Sequence, residues 1–380
     1  MSPKLLKKGE KFPLDENCHH YTKLGEVPWD IQKYWHQRFS IFEFYNYDIH
    51  LTDSAWFGVT PEPVATRIAR DLSTHPIADG KRVLIDLFGG AGGNVIAFAL
   101  SSGRWDRIIA IEKDRSTLAC AQHNAEVYDV LDKITWVHGD CFEVMKRFWK
   151  TTRGTKGMEL KGRGREGGEA ANKGQEQEDD NEELDGLLAG LKLEECLVFA
   201  SPPWGGVSYR DQEVFDLSKM EPYNLEQLYK ACTMPEDEME EHPSTQKQKH
   251  ILPQALFLPR QSDLNQIAAL VPEGAPKIDV IQYCQKGASK ALVAYLPGNI
   301  DADKEDKKQY EENRGQKKRK QDDGQEQTIP ELLPEAPKEA SEGHDAHDTS
   351  YAQDIEADTS KADTSEKRKR KRRRRLSHNN

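Results

Sequence analysis

The chain has 380 residues, with 54 Lys+Arg against 65 Asp+Glu, a formal net charge of −11, and 36% hydrophobic against 31% charged residues. That balance is too polar for a single packed fold of this length, so composition predicts one folded domain with disordered additions. The lack of any run of 18 apolar residues argues against a helical membrane span, and the start MSPKLLKKGEKF lacks the apolar stretch of a secretory signal.

In chain order, residues 1–29 read as an N-terminal extension. Residues 30–75 read as a small helical subdomain or lid: DIQKYWHQRFSIFEF (30–44) places Ile31, Trp35, Phe39 and Phe42 at helical spacing. Thr60-Pro61 reads as an N-cap with proline at the first helical position, before the stripe Val64, Ile68, Leu72. Residues 76–300 then alternate short apolar runs with helical stretches. The runs are 82–88, 107–114, 134–140, 196–204, 255–260, 277–283 and 290–297, and helices are expected over 94–103 and 116–128. Apolar runs separated by helices predict an α/β, doubly wound, Rossmann-like sheet of seven mostly parallel strands. The last two runs are joined by residues 284–289, too short for a helical crossover, so they are expected to pair antiparallel.

Three stretches interrupt this pattern. Residues 151–190 are rich in Gly, Glu and Lys and read as a disordered insertion, and 235–250 reads as a long polar loop. Residues 301–380 carry 19 Lys+Arg and 20 Asp+Glu with few large apolar residues, so they are expected to be a disordered tail. The six cysteines (18, 120, 141, 196, 232, 284) form no C-x-x-C pair. They predict reduced thiols in an intracellular protein, with no disulfide frame and no metal site.

The residues that carry chemistry sit at the expected strand ends. Asp86 opens D-L-F-G-G-A-G-G-N, and glycines such as Gly90 and Gly92 let backbone approach a ligand at the crevice of an open α/β sheet. Glu112, 26 residues after Asp86, ends the second run, where an acid can accept hydrogen bonds from ribose hydroxyls. Asp140 ends the third run, in reach of an adenine amine. This spacing fits S-adenosylmethionine or a dinucleotide equally. The fourth run decides between them: it ends in Ser201-Pro202-Pro203-Trp204-Gly205-Gly206. Two prolines fix an extended backbone and remove two N–H donors, leaving carbonyls free to accept from an exocyclic amine while the indole stacks on its base. Pro-Pro followed by an aromatic resembles what amino-methylating enzymes place beside the methyl donor, with Ser201 where they usually carry Asn or Asp.

WFGVTPEPVATRIA (56–69), DLFGGAGGNVIAFAL (86–100), IEKDRSTLACAQHNAEVYDV (111–130), HGDCF (138–142), SPPWGG (201–206) and FLPR (257–260) together resemble the trimethylguanosine synthase family, over about 33–297 without the insertion. The resemblance implies a class I methyltransferase sheet with S-adenosyl-L-methionine as cofactor. Its implied activity is methylation of the 2-amino group of the 7-methylguanosine cap on small nuclear and nucleolar RNAs, giving 2,2,7-trimethylguanosine. It implies that Trp204 stacks on the methylated guanine and that Ser201 and Pro202 line its amino edge. Thr60, Asp86, Glu112 and Asp140 would contact the cofactor, Lys33 and Arg260 the cap phosphates, and Asn124 the guanine. Gly58 and Gly89 stand where Ser and Cys are commoner in the family, and Glu112 where Asp is usual. Serine at 201 is too weak an acceptor to act alone as a general base. The aromatic amine is expected to shed its proton after transfer, so alignment within about 3–3.5 Å matters more than acid–base catalysis.

A 7-methylated guanine is cationic, so an indole face attracts it by about 0.5–2 kcal/mol beyond ordinary stacking. The basic run 367–375, with KKRK at 317–320, suits a nuclear import receptor or RNA phosphates, and predicts a nuclear, nucleolar protein. Capped RNA or its ribonucleoprotein is the expected partner. Two other readings remain at this point: methylation of another RNA or DNA base or a protein amide, and an inactive cap-binding scaffold.

Overall fold

The computed structural model describes residues 2–101, 103–154, 173–206, 212–235, 250–271, 277–285 and 287–299. The expected tail 301–380 with both basic runs, the central part of the insertion (155–172) and most of the polar loop (236–249) lie outside the described residues.

All seven expected strands form, and they join one sheet: β2 (Val83–Asp86), β3 (Arg107–Glu112), β4 (Ile134–His138), β5 (Cys196–Ala200), β6 (Gln254–Pro259), β7 (Asp279–Gln285) and β8 (Ala288–Leu296). An eighth strand corrects the expectation of seven. The N-terminal segment supplies β1 (Lys4–Leu5), which pairs antiparallel with β4 through Lys4–His138 and Leu5–Val137. Two residues are too few for any periodicity to betray a strand, and β1 exists because the open edge of β4 offers it unpaired backbone groups. The strand order is β1-β4-β3-β2-β5-β6-β8-β7. Strands β2 to β6 are mutually parallel, while β8 is antiparallel to both β6 and β7. The parallel strands are covered on both faces, which is why they read as continuous apolar runs.

The two faces have separate cores, set by the two-residue alternation of strand side chains. On one face, Leu84, Ile108, Ala110 and Phe199 pack with α1 (Gln32–Trp35), α2 (Arg38–Ile41), α3 (Ala55–Gly58), α4 (Glu62–Thr74), α5 (Gly93–Leu100) and α6 (Arg115–Val127). On the other, Ile85, Ile109, Ile111 and Val198 meet α7 (Cys141–Gly154), α8 (Lys173–Ala189), α9 (Leu225–Ala231) and α10 (Leu264–Ala268).

Residues 30–75 therefore form no core of their own. Trp35, Ile41 and Trp56 belong to the same buried cluster as the sheet residues. The expected helix over 30–44 is broken into α1 and α2: the Arg38 guanidinium takes the Trp35 carbonyl at 3.2 Å, and Gln37 leaves helical geometry at ψ 9°. The expected N-cap at Thr60 is also corrected, because Pro61 occupies that position and the Thr60 hydroxyl is turned inward instead.

The described part of the insertion, expected to be disordered, is largely helical. Residues 151–154 continue α7, and Lys173–Ala189 is helical. Its anchor is the LDGLLAGL stretch, whose Leu184 and Leu188 are buried beside Val144, Phe148 and Trp149. Four-residue spacing puts both leucines on one helix face, and that apolar stripe outweighs the polar composition before it. Leu184→Ala is expected to lower the free energy of unfolding by about 2–4 kcal/mol, read by urea denaturation. An unchanged midpoint would mean that α8 is not part of the cooperative fold.

Candidate active site

Because β2 to β6 run parallel, their C-terminal ends lie along one edge of the sheet, and the sequence-derived candidates gather there. Asp86 closes β2, Glu112 closes β3, Asp140 follows β4 by two residues, Ser201 follows β5 and Arg260 follows β6.

The turn after β2 is shaped by glycine. Gly90 and Gly92 have φ of 51° and 97°, and a Cβ on Gly92 would meet Ile96 Cδ1 at 2.8 Å. Gly92 then leads into α5, which points its N-terminus at the crevice. The Gly90 N–H donates to Glu112 Oε2 at 2.9 Å, and the Asp114 N–H donates to Oε1 at 2.8 Å. Burial pushes the Glu112 carboxyl above its ordinary range, against those two hydrogen bonds.

Asp86 is fully buried. One of its oxygens accepts from the Phe88 N–H at 3.1 Å, and the other, Oδ2, has no hydrogen-bond partner. Burial, with the nearby Glu112 charge, raises its pKa well above the usual carboxylate range. Asn94, on the first turn of α5, donates from Nδ2 to Thr60 Oγ1 at 3.0 Å and to Ser201 Oγ at 3.4 Å, while its Oδ1 is likewise buried without a partner. The Ser201 hydroxyl donates to the Phe88 carbonyl at 3.5 Å. Asn94 thus joins the start of α4, the glycine turn and the end of β5. The sequence reading missed it as a site residue, although it is the last residue of the quoted glycine motif.

Asp140 sits in a different environment. It accepts from the Phe142 N–H at 3.0 Å, from Lys113 Nζ at 3.1 Å and from the Tyr223 hydroxyl. Burial pushes its pKa up, but these donors outweigh that and hold the carboxyl below its ordinary value. Lys113, Gly139, Asp140, Phe142, Glu143, Tyr223 and Gln227 line a cleft of about 440 Å³. Tyr223 stacks on Phe142, with centroids 4.1 Å apart and planes at 28°. Nothing local marks Tyr223 in the sequence, because its role arises from the approach of the segment before α9 to the end of β4.

Trp204 is half-buried and stacks on Phe257 of β6, with centroids 5.7 Å apart and planes at 26°. The two prolines before it carry the chain in extended form out of β5, and Gly205 and Gly206 follow at φ 81° and 91°. The indole is thereby fixed beside the strand ends. Arg260 and Lys33 are exposed, and Lys33 Nζ lies 4.9 Å from the Tyr34 ring centre.

Asn124 does not join this group. It is fully buried in α6, its Oδ1 accepting from the His50 N–H at 2.9 Å and its Nδ2 donating to the carbonyls of His50 at 2.8 Å and Ala91 at 3.0 Å. Its amide is spent on backbone, so the expected guanine contact is corrected to a structural pin beneath the glycine turn.

The parallel core, its closing antiparallel hairpin and acids at three successive strand ends define a class I, S-adenosylmethionine-dependent methyltransferase. Residues 81–299 match the model of the RNA cap guanine-N2 methyltransferase family, and the chain belongs to that family. It is 29% identical over 295 residues to a trimethylguanosine synthase of Schizosaccharomyces pombe, covering 77% of this chain and 96% of that protein. It is 27% identical over 241 residues to a trimethylguanosine synthase of Saccharomyces cerevisiae, covering 62% of this chain and 56% of the relative. It is also similar to the crystal structure of an RNA methyltransferase from Salinibacter ruber in complex with S-adenosyl-L-homocysteine, at 17% identity and a TM-score of 0.28, covering 64% of this chain and 97% of that one. The activity is S-adenosylmethionine-dependent methylation of the cap guanine at N2, with capped RNA as substrate. No described helix is long and apolar enough to cross a membrane.

Proposed function

We propose that the enzyme converts the 7-methylguanosine cap of small nuclear and nucleolar RNAs to its 2,2,7-trimethyl form, using the strand-end crevice as a joint donor and cap site. The observation that carries this reading is the convergence of Asp86, Glu112, Asp140 and the Ser201–Trp204 turn on one sheet edge, two of whose buried acceptors, Asp86 Oδ2 and Asn94 Oδ1, have no protein partner. Unpaired buried acceptors are costly, so this pocket fits a ligand that brings its own donors and a positive charge. S-adenosylmethionine is such a ligand, and when bound it supplies an electrophilic methyl on a sulfonium.

In this reading Asp86 faces the donor's ammonium, and Gly90 and Gly92 leave room for its backbone-like portion. Glu112 takes the ribose hydroxyls, exchanging the Gly90 N–H for them. Asp140 accepts from the adenine amine in the cleft shared with Tyr223. Thr60, held by Asn94, borders the donor. Trp204 grips the cationic base between itself and solvent, Pro202 and Ser201 border its amino edge, and Lys33 and Arg260 meet the cap phosphates. The Ser201 hydroxyl is already engaged with Phe88 and Asn94, which supports alignment rather than proton abstraction as its part. We assign the protein to the nucleus and nucleolus, with the basic run 367–375 as the segment read by an import receptor.

Mass spectrometry of cap dinucleotides incubated with enzyme and donor tests the reading. A 7-methylated cap is expected to gain two methyl groups on N2 and an unmethylated cap none. Equal methylation of both would remove the cation-dependent part, and transfer to neither would overturn the reading.

A further inference from the structure

On the far side of the glycine turn, the loop after α2 meets α6 in a cluster that takes no part in the proposed methyl transfer. We propose that Asp48, His50 and His123 form a binding site for a single borderline divalent cation, zinc before others. Their ligand atoms all lie within 4.8 Å of one another. His123 Nε2 is 3.2 Å from one Asp48 carboxylate oxygen, and His50 Nδ1 is 3.8 Å from the other. Both ring nitrogens also point at the Asp48 carbonyl oxygen, at 2.7 Å from His123 and 3.0 Å from His50.

These separations match a metal's coordination shell. Zinc bonds of about 2.0–2.1 Å place tetrahedral ligand atoms roughly 3.3 Å apart, so one ion reaches all four atoms with small side-chain adjustments. Two imidazoles with a carboxylate favour zinc and its neighbours over magnesium or calcium, which prefer all-oxygen shells. The two rings meet edge-on at 83° with centroids 4.8 Å apart, so neither blocks the other's nitrogen. Without an ion, two imidazole protons share one carbonyl oxygen, and a cation would replace both.

The chain is bent to make this arrangement. Asp48 adopts φ 69°, a left-handed conformation uncommon outside glycine, and this brings its carboxylate and its own carbonyl to the same side as the two rings. His50 is held at both backbone groups by Asn124, the residue next to His123, so one turn of α6 both donates a ligand and orients another. The side chains of His50 and His123 are 14% and 21% exposed against 63% for Asp48, which leaves solvent access for an ion and for a completing water. Since Asn124 also binds Ala91 within the glycine turn, the bound ion would fasten the loop to α6 beneath the donor site.

The test uses the full chain without a polyhistidine tag, stripped with a chelator, dialysed, and titrated with zinc chloride alone. Wild type is expected to hold one equivalent of zinc more than His123→Gln or Asp48→Asn, both with unchanged far-ultraviolet circular dichroism, and each substitution is expected to weaken that equivalent by about tenfold or more. Zinc should raise the thermal midpoint of wild type clearly more than that of either variant at the same concentration. Equal zinc content in wild type and His123→Gln, or a wild-type midpoint indifferent to zinc, would overturn the proposal.

Discussion

Trp204→Ala is expected to lower kcat/KM for a 7-methylated cap dinucleotide by between about tenfold and several thousandfold, while donor affinity measured by calorimetry stays within about twofold. The range follows from stacking worth about 1–3 kcal/mol per base plus a cation–π contribution of about 0.5–2 kcal/mol. Trp204 also covers Phe257, so the substitution loses some packing as well. Trp204→Phe separates the two effects, because a benzene ring keeps apolar cover on Phe257 with a weaker face for a cation. It should retain an intermediate rate. Normal turnover in Trp204→Ala would remove the indole from cap recognition.

Asp86→Asn has two expected effects of opposite sign. Donor binding should weaken by about a hundredfold or more, because a buried charge loses its partner, a change worth roughly 3–5 kcal/mol at its upper end. The donor-free protein should instead become more stable near neutral pH, because the variant no longer buries a carboxylate whose Oδ2 lacks a partner. The pH dependence follows from the raised pKa of Asp86. The stability that this group contributes is complete below its unfolded pKa and is lost as pH rises through the higher folded value. Donor affinity should move the other way, climbing over the same window as Asp86 ionises to face a cation. Glu112 is also pushed up by burial, so Asp86→Asn should leave a shallower slope and not a flat profile. Titrations of donor binding against pH, paired with urea unfolding, measure both effects. A variant with wild-type affinity would remove the ammonium contact.

The strand ends were legible because parallel, doubly covered strands are continuous apolar runs and the chemistry begins where each run stops. Asp86, Glu112, Asp140 and Ser201 could all be placed this way. Asn124 could not. Its amide looks the same in sequence whether it faces a base or a backbone, and only the approach of His50 and Ala91 from distant segments commits it. Asn94 and Tyr223 escaped notice for the same reason, since their partners, Thr60 and Ser201 for one and Asp140 for the other, are remote in the chain. Helix α8 was concealed by composition: a polar average hid the leucine stripe that anchors it.

Local patterns along the chain determined the class of fold, the direction of the parallel strands, the closing hairpin and the sheet edge that carries the chemistry. These depend on side-chain periodicity and connection length, which are properties of neighbouring residues. Tertiary structure alone decided that an N-terminal dipeptide would complete the sheet and that residues 30–75 would share its core. It likewise decided which buried acceptors would be left for a ligand, and that an aspartate and a histidine of one loop would meet a histidine of α6. Each of those outcomes is a meeting of groups far apart in the chain, governed by packing and hydrogen-bond satisfaction, and no spacing rule encodes it.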